Sequence, residues 1–227
     1  MNPAPTYDLG RLHGGMRLQP AKASSTGGPL RVMPVPSQLV IPLAQHSGDP
    51  AQPLVDIGED VLKGQLIAAA DGVLSAPVHA SSSGRVVAIE PWPVSRRYGE
   101  PAPCIVIETD GEDRPVAPTE DWPLWDSLDR ESLFSRILQG GIVGLGGAVF
   151  PTAQKLMQAA GAQLEYLLVN GVECEPYIAC DDVLMREFPG DVLEGARVLM
   201  HALEIPRCYV ALESGRGKPH VRPRCRH

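Results

Sequence analysis

The spacing of hydrophobic and polar positions changes near the middle of the chain. Between Leu30 and Ile107, apolar residues come in short runs rich in valine and isoleucine, separated by glycine, proline and serine. These runs are LRVMPV, LVIPL, VLKGQLIAA, GVLSAPV, GRVVAIE and CIVIE. Short, evenly punctuated runs are typical of strands in a small barrel or sandwich. We therefore predict a β domain over residues 30–109, preceded by a loose N-terminal extension over residues 1–29.

The pattern after residue 126 is typical of alternating helices and strands. We predict helices over 129–139, 152–161 and 189–203, and strands over 165–170 and 208–213. Gly140 and Gly141 should stop the first helix, Thr152 should cap the second, and Pro189 fits the first turn of the third. We expect EYLLVN at residues 165–170 to form a buried strand, followed by a polar loop. The result is an incomplete α/β domain over residues 127–213, joined to the β domain by an acidic linker over residues 110–126.

The last fourteen residues, 214–227, form a third pattern, which is basic and has no hydrophobic periodicity. Its cations are Arg216, Lys218, Arg222, Arg224 and Arg226. One interpretation is a disordered basic end. We favour another, in which the chain leaves its native reading frame or is cut near Glu213, and we assign this aberrant tail no function.

Composition narrows the possible functions. The chain has 227 residues, of which 44% are hydrophobic and 21% charged, as in globular proteins. Its net charge of −7 argues against binding to nucleic acid. It has no apolar run of the roughly 20 residues that a membrane helix needs. The five cysteines are scattered, which suggests a reducing compartment rather than a disulfide framework.

The β domain contains two half-motifs that resemble the barrel-sandwich hybrid fold of lipoyl and biotinyl domains. Residues 58–65 follow the pattern Gly-x-x-Val-x-x-Gly-Gln, and a Ser-x-x-Gly-x-Val half follows. A carrier domain needs an exposed lysine between its halves, and the segment AADGVLSAPVHA has none. Lys63 lies in the first half and is expected to be a solvated surface charge. The module is therefore interpreted as structural, and a carrier function is the least favoured hypothesis.

Histidines and cysteines give no metal-ligand pattern. His46 and His79 each lack a second ligand at metal spacing, so we expect them to form ordinary hydrogen bonds. Cys174 and Cys180 are not accompanied by the further thiols that a metal or iron–sulfur site would need. We therefore predict no metal site.

A glycine-rich stretch, GGIVGLGGAVFPTAQK at residues 140–155, is the first candidate site. Glycines let backbone N–H groups approach one ligand closely, and the helix that follows directs its positive end into the loop. Lys155 adds a full positive charge. The stretch matches neither G-x-G-x-x-G after a strand nor the P-loop, and a packing turn has a similar composition.

Polar residues after the strand at 165–170 form the second candidate site. Asn170 lies at the carboxyl end of the strand, where open α/β sheets place ligands. Glu173, Glu175, Tyr177 and Asp181 follow it. These groups suit hydrogen bonds to a ribose, an amide or a flavin edge, while a solvated acidic loop remains the alternative interpretation.

The two stretches together resemble a known family. G-x-G-G-A-x-F-P-T-x-x-K followed by V-N-G-x-E-C-E-P-Y is similar to the flavoprotein subunit of respiratory NADH dehydrogenases. The sequence is closer still to the RnfC subunit of the Rnf/Rsx ion-translocating electron transport complex. HGG at 13–15, LVIPLAQHSGDP at 39–50 and VLKGQ at 61–65 also resemble RnfC, so the similarity covers residues 13–213.

The resemblance implies an electron-transfer protein that binds FMN and NAD(H) in its α/β domain. It implies that Lys155 faces a phosphate, that Asn170 bonds the flavin, and that Glu173 and Glu175 shape the flavin and nicotinamide side. The matching positions are Gly144, Gly146, Gly147, Ala148, Phe150, Pro151, Thr152, Lys155, Asn170, Glu173, Glu175 and Asp181, none of them an acid or base catalyst. It further implies a peripheral location on the cytoplasmic face of the bacterial inner membrane, among the other subunits of the complex.

The sequence also departs from the family. The respiratory subunits carry one arginine and two glycines where this sequence has Leu145, Val149 and Ala153. This difference weakens the prediction of NADH binding more than that of flavin binding. Complete RnfC proteins end in two C-x-x-C-x-x-C-x-x-x-C-P runs for 4Fe-4S clusters, and this chain has neither. We therefore interpret it as an N-terminal fragment. The alternative function is a non-catalytic remnant that only docks on the complex through its β barrel.

Overall fold

The computed structural model describes residues 21–95, 100–118, 123–173 and 175–212. The predicted basic tail lies outside these ranges, as does most of the N-terminal extension. No helix in the described ranges is both long and apolar enough to cross a membrane.

Short antiparallel strands form the N-terminal part. They are β1 (Gln38–Pro42), β2 (Gln52–Pro53), β3 (Asp60–Val61), β4 (Leu66–Ala69), β5 (Val78–His79), β6 (Gly84–Pro93) and β7 (Pro101–Thr109). One sheet has the order β1–β7–β6–β3 and the other the order β2–β4–β5. The predicted β module is thereby confirmed as the first of two parts of the fold.

The pairing of β6 with β7 forms the centre of the β domain. Ile89 pairs with Ile105 and Val86 with Ile107, and β1 adds Ile41 on the other side of Ile105. Alternate side chains of these strands point to the same face, which forms a buried core. Its members include Ile41, Val61, Ile67, Val86, Ile105 and Ile107.

Three of the predicted strands differ from the structure. LRVMPV at residues 30–35 forms no strand, and Val32 is 97% exposed. VLKGQLIAA is divided into β3 and β4 by a turn in which Gly64 has a φ of +82°, a conformation that suits glycine. Only the last residue of GVLSAPV belongs to a strand, β5.

The segment after β7, expected to be a linker, lies against the β domain over residues 110–116. Lys63 N donates to Arg114 O at 2.9 Å, and Val116 N donates back to Lys63 O at 3.0 Å. The Lys63 ammonium is half-exposed and lies 2.6 Å from Asp113 Oδ2. A side-chain hydrogen bond from Arg114, helped by Glu112 N–H and Ser83, lowers the pKa of Asp110 to about 2.

Four helices and a parallel strand pair form the described α/β part. They are α1 (Arg130–Gln139), α2 (Thr152–Ala159), β8 (Leu167–Gly171), α3 (Cys180–Glu187), α4 (Pro189–Leu203) and β9 (Cys208–Leu212). Asp129 caps α1 by accepting a hydrogen bond from Ser132 N at 2.8 Å. Gly140 follows α1, and Gly141 has a φ of +64°. The helices α1, α2 and α4 share a core of Leu133, Phe134, Ile137, Ala153, Leu156 and Ala202.

The parallel pairing of β8 with β9 and the helix over 189–203 agree with the sequence prediction, but three local predictions are wrong. Thr152 is the first residue of α2 and not its cap, because Pro151 O accepts the first hydrogen bond of the helix, from Lys155 N at 3.3 Å; the Thr152 N–H donates to Ile142 O at 2.9 Å. The strand β8 is not buried throughout, since Leu168 is 57% exposed on the face opposite α4. The predicted polar loop after β8 contains the helix α3.

Ile105 gives a test of the β core. Ile105→Ala removes a fully buried side chain at the centre of the β domain, so we expect the free energy of unfolding to fall by about 2–5 kcal/mol. Urea unfolding of the whole chain, followed by circular dichroism, measures this loss. Ile57→Ala makes the same chemical change at a 64% exposed position and should cost about 0.5 kcal/mol or less. Equal losses in the two variants would contradict the core described above.

Candidate functional site

The glycine-rich loop, residues 140–151, is held closed at its base. Gly144 N donates to Phe150 O at 2.9 Å, and Val149 N donates to Gly146 O at 3.1 Å. Below these bonds, Val143 and Pro151 pair as an isolated antiparallel bridge. The buried Pro151 thus fixes the end of the loop against the start of α2, while the residues at the tip remain exposed.

The tip of the loop presents a row of unused hydrogen-bond donors. Within the described ranges, the N–H groups of Leu145, Gly146, Gly147 and Ala148 donate to no protein acceptor. A Cβ atom at Gly146 or Gly147 would meet no atom within 4 Å, so the space beside these donors is open. Consecutive exposed N–H groups of this kind form a cradle for an anion or for the polar edge of a ring.

The helix α2 adds positive charge to the same place. In the part of the chain that the structure describes, the N–H groups of Ala153 and Gln154 find no acceptor. They lie in the first turn of α2, where the aligned peptide dipoles favour an anion. Lys155 is exposed one residue further on and forms no ion pair with another described residue. Loop and helix together therefore suit a phosphate group.

Asn170 occupies the expected place at the carboxyl end of β8. Its side chain is exposed, and Asn170 Oδ1 accepts a hydrogen bond from Val172 N at 3.2 Å. This bond leaves the amide NH₂ group to donate to a ligand. Glu175 is also exposed and has no partner among the described residues.

Glu173 is placed differently from what the sequence suggested, because its carboxylate is buried and already bonded. Glu173 Oε1 accepts from Asp181 N at 2.9 Å and from the Cys180 thiol at 3.3 Å, so the carboxylate caps the start of α3. On its other side lies the buried ammonium of Lys22, 3.9 Å from Glu173 Oε2 and 2.6 Å from Glu173 O. The carboxylate therefore organises the chain around it and has little capacity left for a ligand.

The pKa values in this cluster follow from burial, hydrogen bonds and neighbouring charges. Burial opposes ionisation of Glu173, but the Asp181 and Asp182 N–H groups, the Cys180 thiol and the Lys22 ammonium together lower its pKa. Partial burial and the charge of Glu173 raise the pKa of Asp181. The hydrogen bond to Glu173, followed by burial, raises the pKa of the Cys180 thiol, which disfavours the reactive thiolate.

The same cluster is the one group of three potential metal ligands within the described ranges. Ligand atoms of Glu173, Cys180 and Asp181 lie within 4.8 Å of one another. However, the Glu173 oxygens already accept hydrogen bonds, and the Lys22 ammonium lies where it would repel a cation. The arrangement is therefore explained as a helix cap.

No described hydrogen bond or ion pair joins the Glu173 cluster to the glycine-rich loop. The structure thus separates the candidate residues into an open loop, with Gly144, Gly146, Gly147, Ala148, Phe150, Pro151, Thr152 and Lys155, and a strand end with Asn170, Glu173, Glu175 and Asp181. Sequence analysis missed Lys22, which no local motif marks. It also missed α3, although Asp181 and Asp182 are acidic residues in its first turn.

The two histidines form the hydrogen bonds expected of them. His46 Nε2 lies 2.9 Å from Asp49 O and 3.0 Å from Ser75 Oγ. His79 lies beside Gly141 at the base of the glycine-rich loop. Burial lowers the pKa of His79, although a hydrogen bond with the Gln139 backbone partly opposes the shift.

Comparison with known proteins assigns both parts of the chain. Residues 10–112 match the family described as the RnfC barrel sandwich hybrid domain, and residues 137–219 match the Nuo51 FMN-binding domain. The glycine-rich loop and the Glu173 cluster both lie inside the second match. The order of the two domains confirms the predicted fold class.

Similar full-length proteins come from several bacteria, and each is named as the C subunit of an ion-translocating oxidoreductase complex. The Pseudomonas aeruginosa protein is 45% identical over 202 residues, which is 88% of this chain and 26% of the relative. The Cronobacter sakazakii protein is 40% identical over 204 residues, with 90% of this chain and 26% of the relative covered. The Rhodobacter capsulatus protein is 40% identical over 205 residues, with shares of 90% and 39%. The chain thus spans between about a quarter and two-fifths of these relatives.

Glu173 gives a test of the buried ion pair. Glu173→Gln keeps the shape of the side chain but leaves Lys22 without its carboxylate, so we expect the free energy of unfolding to fall by about 1–3 kcal/mol at neutral pH. Because the folded-state pKa of Glu173 lies below its usual 4.5, the ionised carboxylate adds stability above that pH. The difference between the two proteins should disappear as the pH falls through the folded-state pKa.

The control for this prediction is Glu175→Gln, at an exposed position without a described partner. Urea unfolding at pH 7 and at a series of acid pH values compares the three proteins. A constant difference between wild type and Glu173→Gln down to pH values where Glu173 is protonated would contradict the assigned ion pair.

Proposed function

Because the chain carries an RnfC barrel sandwich hybrid domain followed by a Nuo51 FMN-binding domain, we propose that it acts in electron transfer within a membrane-associated ion-translocating oxidoreductase complex. FMN would be the bound cofactor, and electrons would move between NADH and ferredoxin-type iron–sulfur carriers. The single observation that supports this proposal best is the row of free donors at the tip of the glycine-rich loop.

The loop fits FMN in both charge and shape. The four N–H groups of residues 145–148, the first turn of α2 and Lys155 supply donors and positive charge for the phosphate. The open space beside Gly146 and Gly147 admits a flat ring close to the backbone. When bound, FMN would supply the redox chemistry, and the protein would supply position and electrostatics.

The strand end would complete the pocket. The free NH₂ group of Asn170 would donate to the polar edge of the flavin, and Glu175 has an uncommitted carboxylate for the nicotinamide side. Glu173 would act indirectly, since its carboxylate fixes the start of α3 instead of facing a ligand. Asp181 contributes its N–H group to this cap and keeps an exposed carboxylate.

The proposal for NAD(H) is supported by fewer contacts than that for FMN. Leu145, 95% exposed at the tip of the loop, offers an apolar surface on which a flat ring can stack. The 4Fe-4S clusters are expected only in the full-length family, because the two C-x-x-C-x-x-C-x-x-x-C-P runs that would ligate them are absent from this sequence.

The proposed partners are supported by the names of the relatives, which assign those proteins to a multi-subunit complex. We propose that other subunits of an Rnf/Rsx-type complex hold this protein peripherally at the cytoplasmic face of the bacterial inner membrane. Neither nucleic acid nor direct insertion into the bilayer enters this proposal.

Gly147 gives a test of the flavin site. Gly147→Trp places a large side chain in the open space beside the free donors, so we expect FMN to bind at least about 10-fold more weakly, a loss of about 1.4 kcal/mol or more. Quenching of FMN fluorescence on titration measures the affinity. Loss of flavin absorbance on anaerobic addition of NADH then tests electron input.

Gly161→Trp is the matched control, because Gly161 is also exposed and a Cβ atom there would also meet no atom within 4 Å, but it lies outside the loop. It should bind FMN like the wild type. A wild-type chain that melts cooperatively yet quenches no FMN fluorescence would refute the electron-transfer proposal and favour a protein that only docks on the complex.

A further inference from the structure

The β domain bonds the glycine-rich loop through Ser47, a residue of the LVIPLAQHSGDP segment to which sequence analysis gave no role. Ser47 lies in the turn between β1 and β2, and its N–H donates to Val149 O at 3.0 Å. The Ser47 hydroxyl donates to Ala148 O. One residue of the β domain thus bonds two successive carbonyl groups of the loop, 101 positions further along the chain.

The turn that carries Ser47 is itself fixed. The buried His46 ring bonds Asp49 O at 2.9 Å, and Asp49 N donates to Leu74 O at 2.9 Å. Gly48 has a φ of +103°, and a Cβ atom there would clash with the Leu74 carbonyl group. Only glycine fits this position, so the turn presents Ser47 from a rigid base.

The loop opposite Ser47 needs such a support. Val149 has a φ of +40°, a left-handed conformation that is strained for a β-branched residue. Ser47 bonds the carbonyl groups on both sides of this strained residue, because Ala148 O precedes Val149 and Val149 O follows its Cα atom. The orientations of the two peptide groups that flank Val149 are thereby fixed.

Two further contacts join the same parts of the molecule. Gln154 Nε2, in the first turn of α2, donates to Val73 O at 3.0 Å. A Cβ atom at Gly141 would lie 2.6 Å from Pro77 O, so the base of the loop also lies directly on the β domain. Of these contacts, the one made by Ser47 is nearest to the free donors, because Ala148 both accepts the Ser47 hydroxyl through its carbonyl group and carries one of the free N–H groups.

We propose that Ser47 is a positioning residue for the flavin site, which holds Val149 in its left-handed conformation and so keeps the donors of residues 145–148 directed at FMN. This inference rests on the proposed function, since it concerns the same loop. The barrel sandwich hybrid domain, which has no carrier lysine, would then support cofactor binding in the neighbouring domain.

The test compares FMN affinities in a double-mutant cycle. Ser47→Ala removes the hydroxyl and should weaken FMN binding about 3- to 10-fold, the range expected for one hydrogen bond. With Val149→Gly present, the same change should weaken binding less than about 2-fold, because glycine takes a positive φ without support. Ser47→Thr keeps the hydroxyl and should bind like the wild type. Ser81→Ala, at an exposed position of the β domain, should have no effect.

A measurement without flavin separates this inference from the proposed function. Hydrogen exchange of the Gly144 and Val149 amides, which are bonded across the loop, should be at least about 3-fold faster in Ser47→Ala than in the wild type. Faster exchange together with no FMN binding by the wild type would support the Ser47 contact and refute the flavin site. Unchanged exchange, or equal losses of affinity with and without Val149→Gly, would overturn the inference.

Discussion

The buried pair of Glu173 and Lys22 constrains how the described chain can be arranged. A buried carboxylate is costly unless it is paired and hydrogen-bonded, and a buried ammonium is costly for the same reason. Here the ammonium donates to the Glu173 backbone carbonyl at 2.6 Å and lies 3.9 Å from the carboxylate, which also accepts the N–H groups that start α3. The segment around Lys22, the end of β8 and the first turn of α3 must therefore meet at one point. A second contact, from Leu30 N to the Glu187 carboxylate, holds the segment at the other end of α3.

This constraint separates two groups of polar residues that look equivalent in the sequence. Around Glu173, donors and acceptors are matched within the protein, which stabilises the fold but leaves little for a ligand. At the tip of the glycine-rich loop, successive donors are unmatched and exposed, while the carbonyl groups beside them are bonded to the β domain. The proposed flavin site therefore depends on a loop whose carbonyl groups are bonded to the β domain while its N–H groups at the tip stay free. The FMN-binding domain supplies the donors, and the barrel sandwich hybrid domain supplies the support beneath them.

The features that could be predicted from the sequence depend on neighbouring residues. Asp129 caps α1 across three positions, Gly140 and Gly141 end it, and Pro189 begins α4, so local chemistry was sufficient. Predictions failed where a distant partner decides the outcome. Thr152 gives its N–H to Ile142 across the loop, and Leu168 stays exposed because β8 has a helix on one face alone among the described elements.

In the candidate site, too, local features could be predicted and features that depend on distant partners could not. The glycines of the loop and Asn170 at a strand end could be chosen from pattern and resemblance. Whether a carboxylate faces a ligand or caps a helix could not be predicted, because Glu173 and Glu175 are the same residue type two positions apart and are distinguished by their burial and by partners in other segments. Lys22 and Ser47 lie 151 and 101 positions from their partners, and no periodicity links residues so far apart.

The same distances set an order for assembly on the ribosome. At about 5–20 residues per second, Glu173 is synthesised roughly 8–30 s after Lys22. Throughout that delay the Lys22 ammonium stays hydrated, while β6 and β7, which are close in sequence, have time to pair. The barrel can thus be complete before the glycine-rich loop emerges and needs its support. The segment around Lys22 can take its place only after Glu173 has been synthesised, so a shorter nascent chain has no means to make this contact.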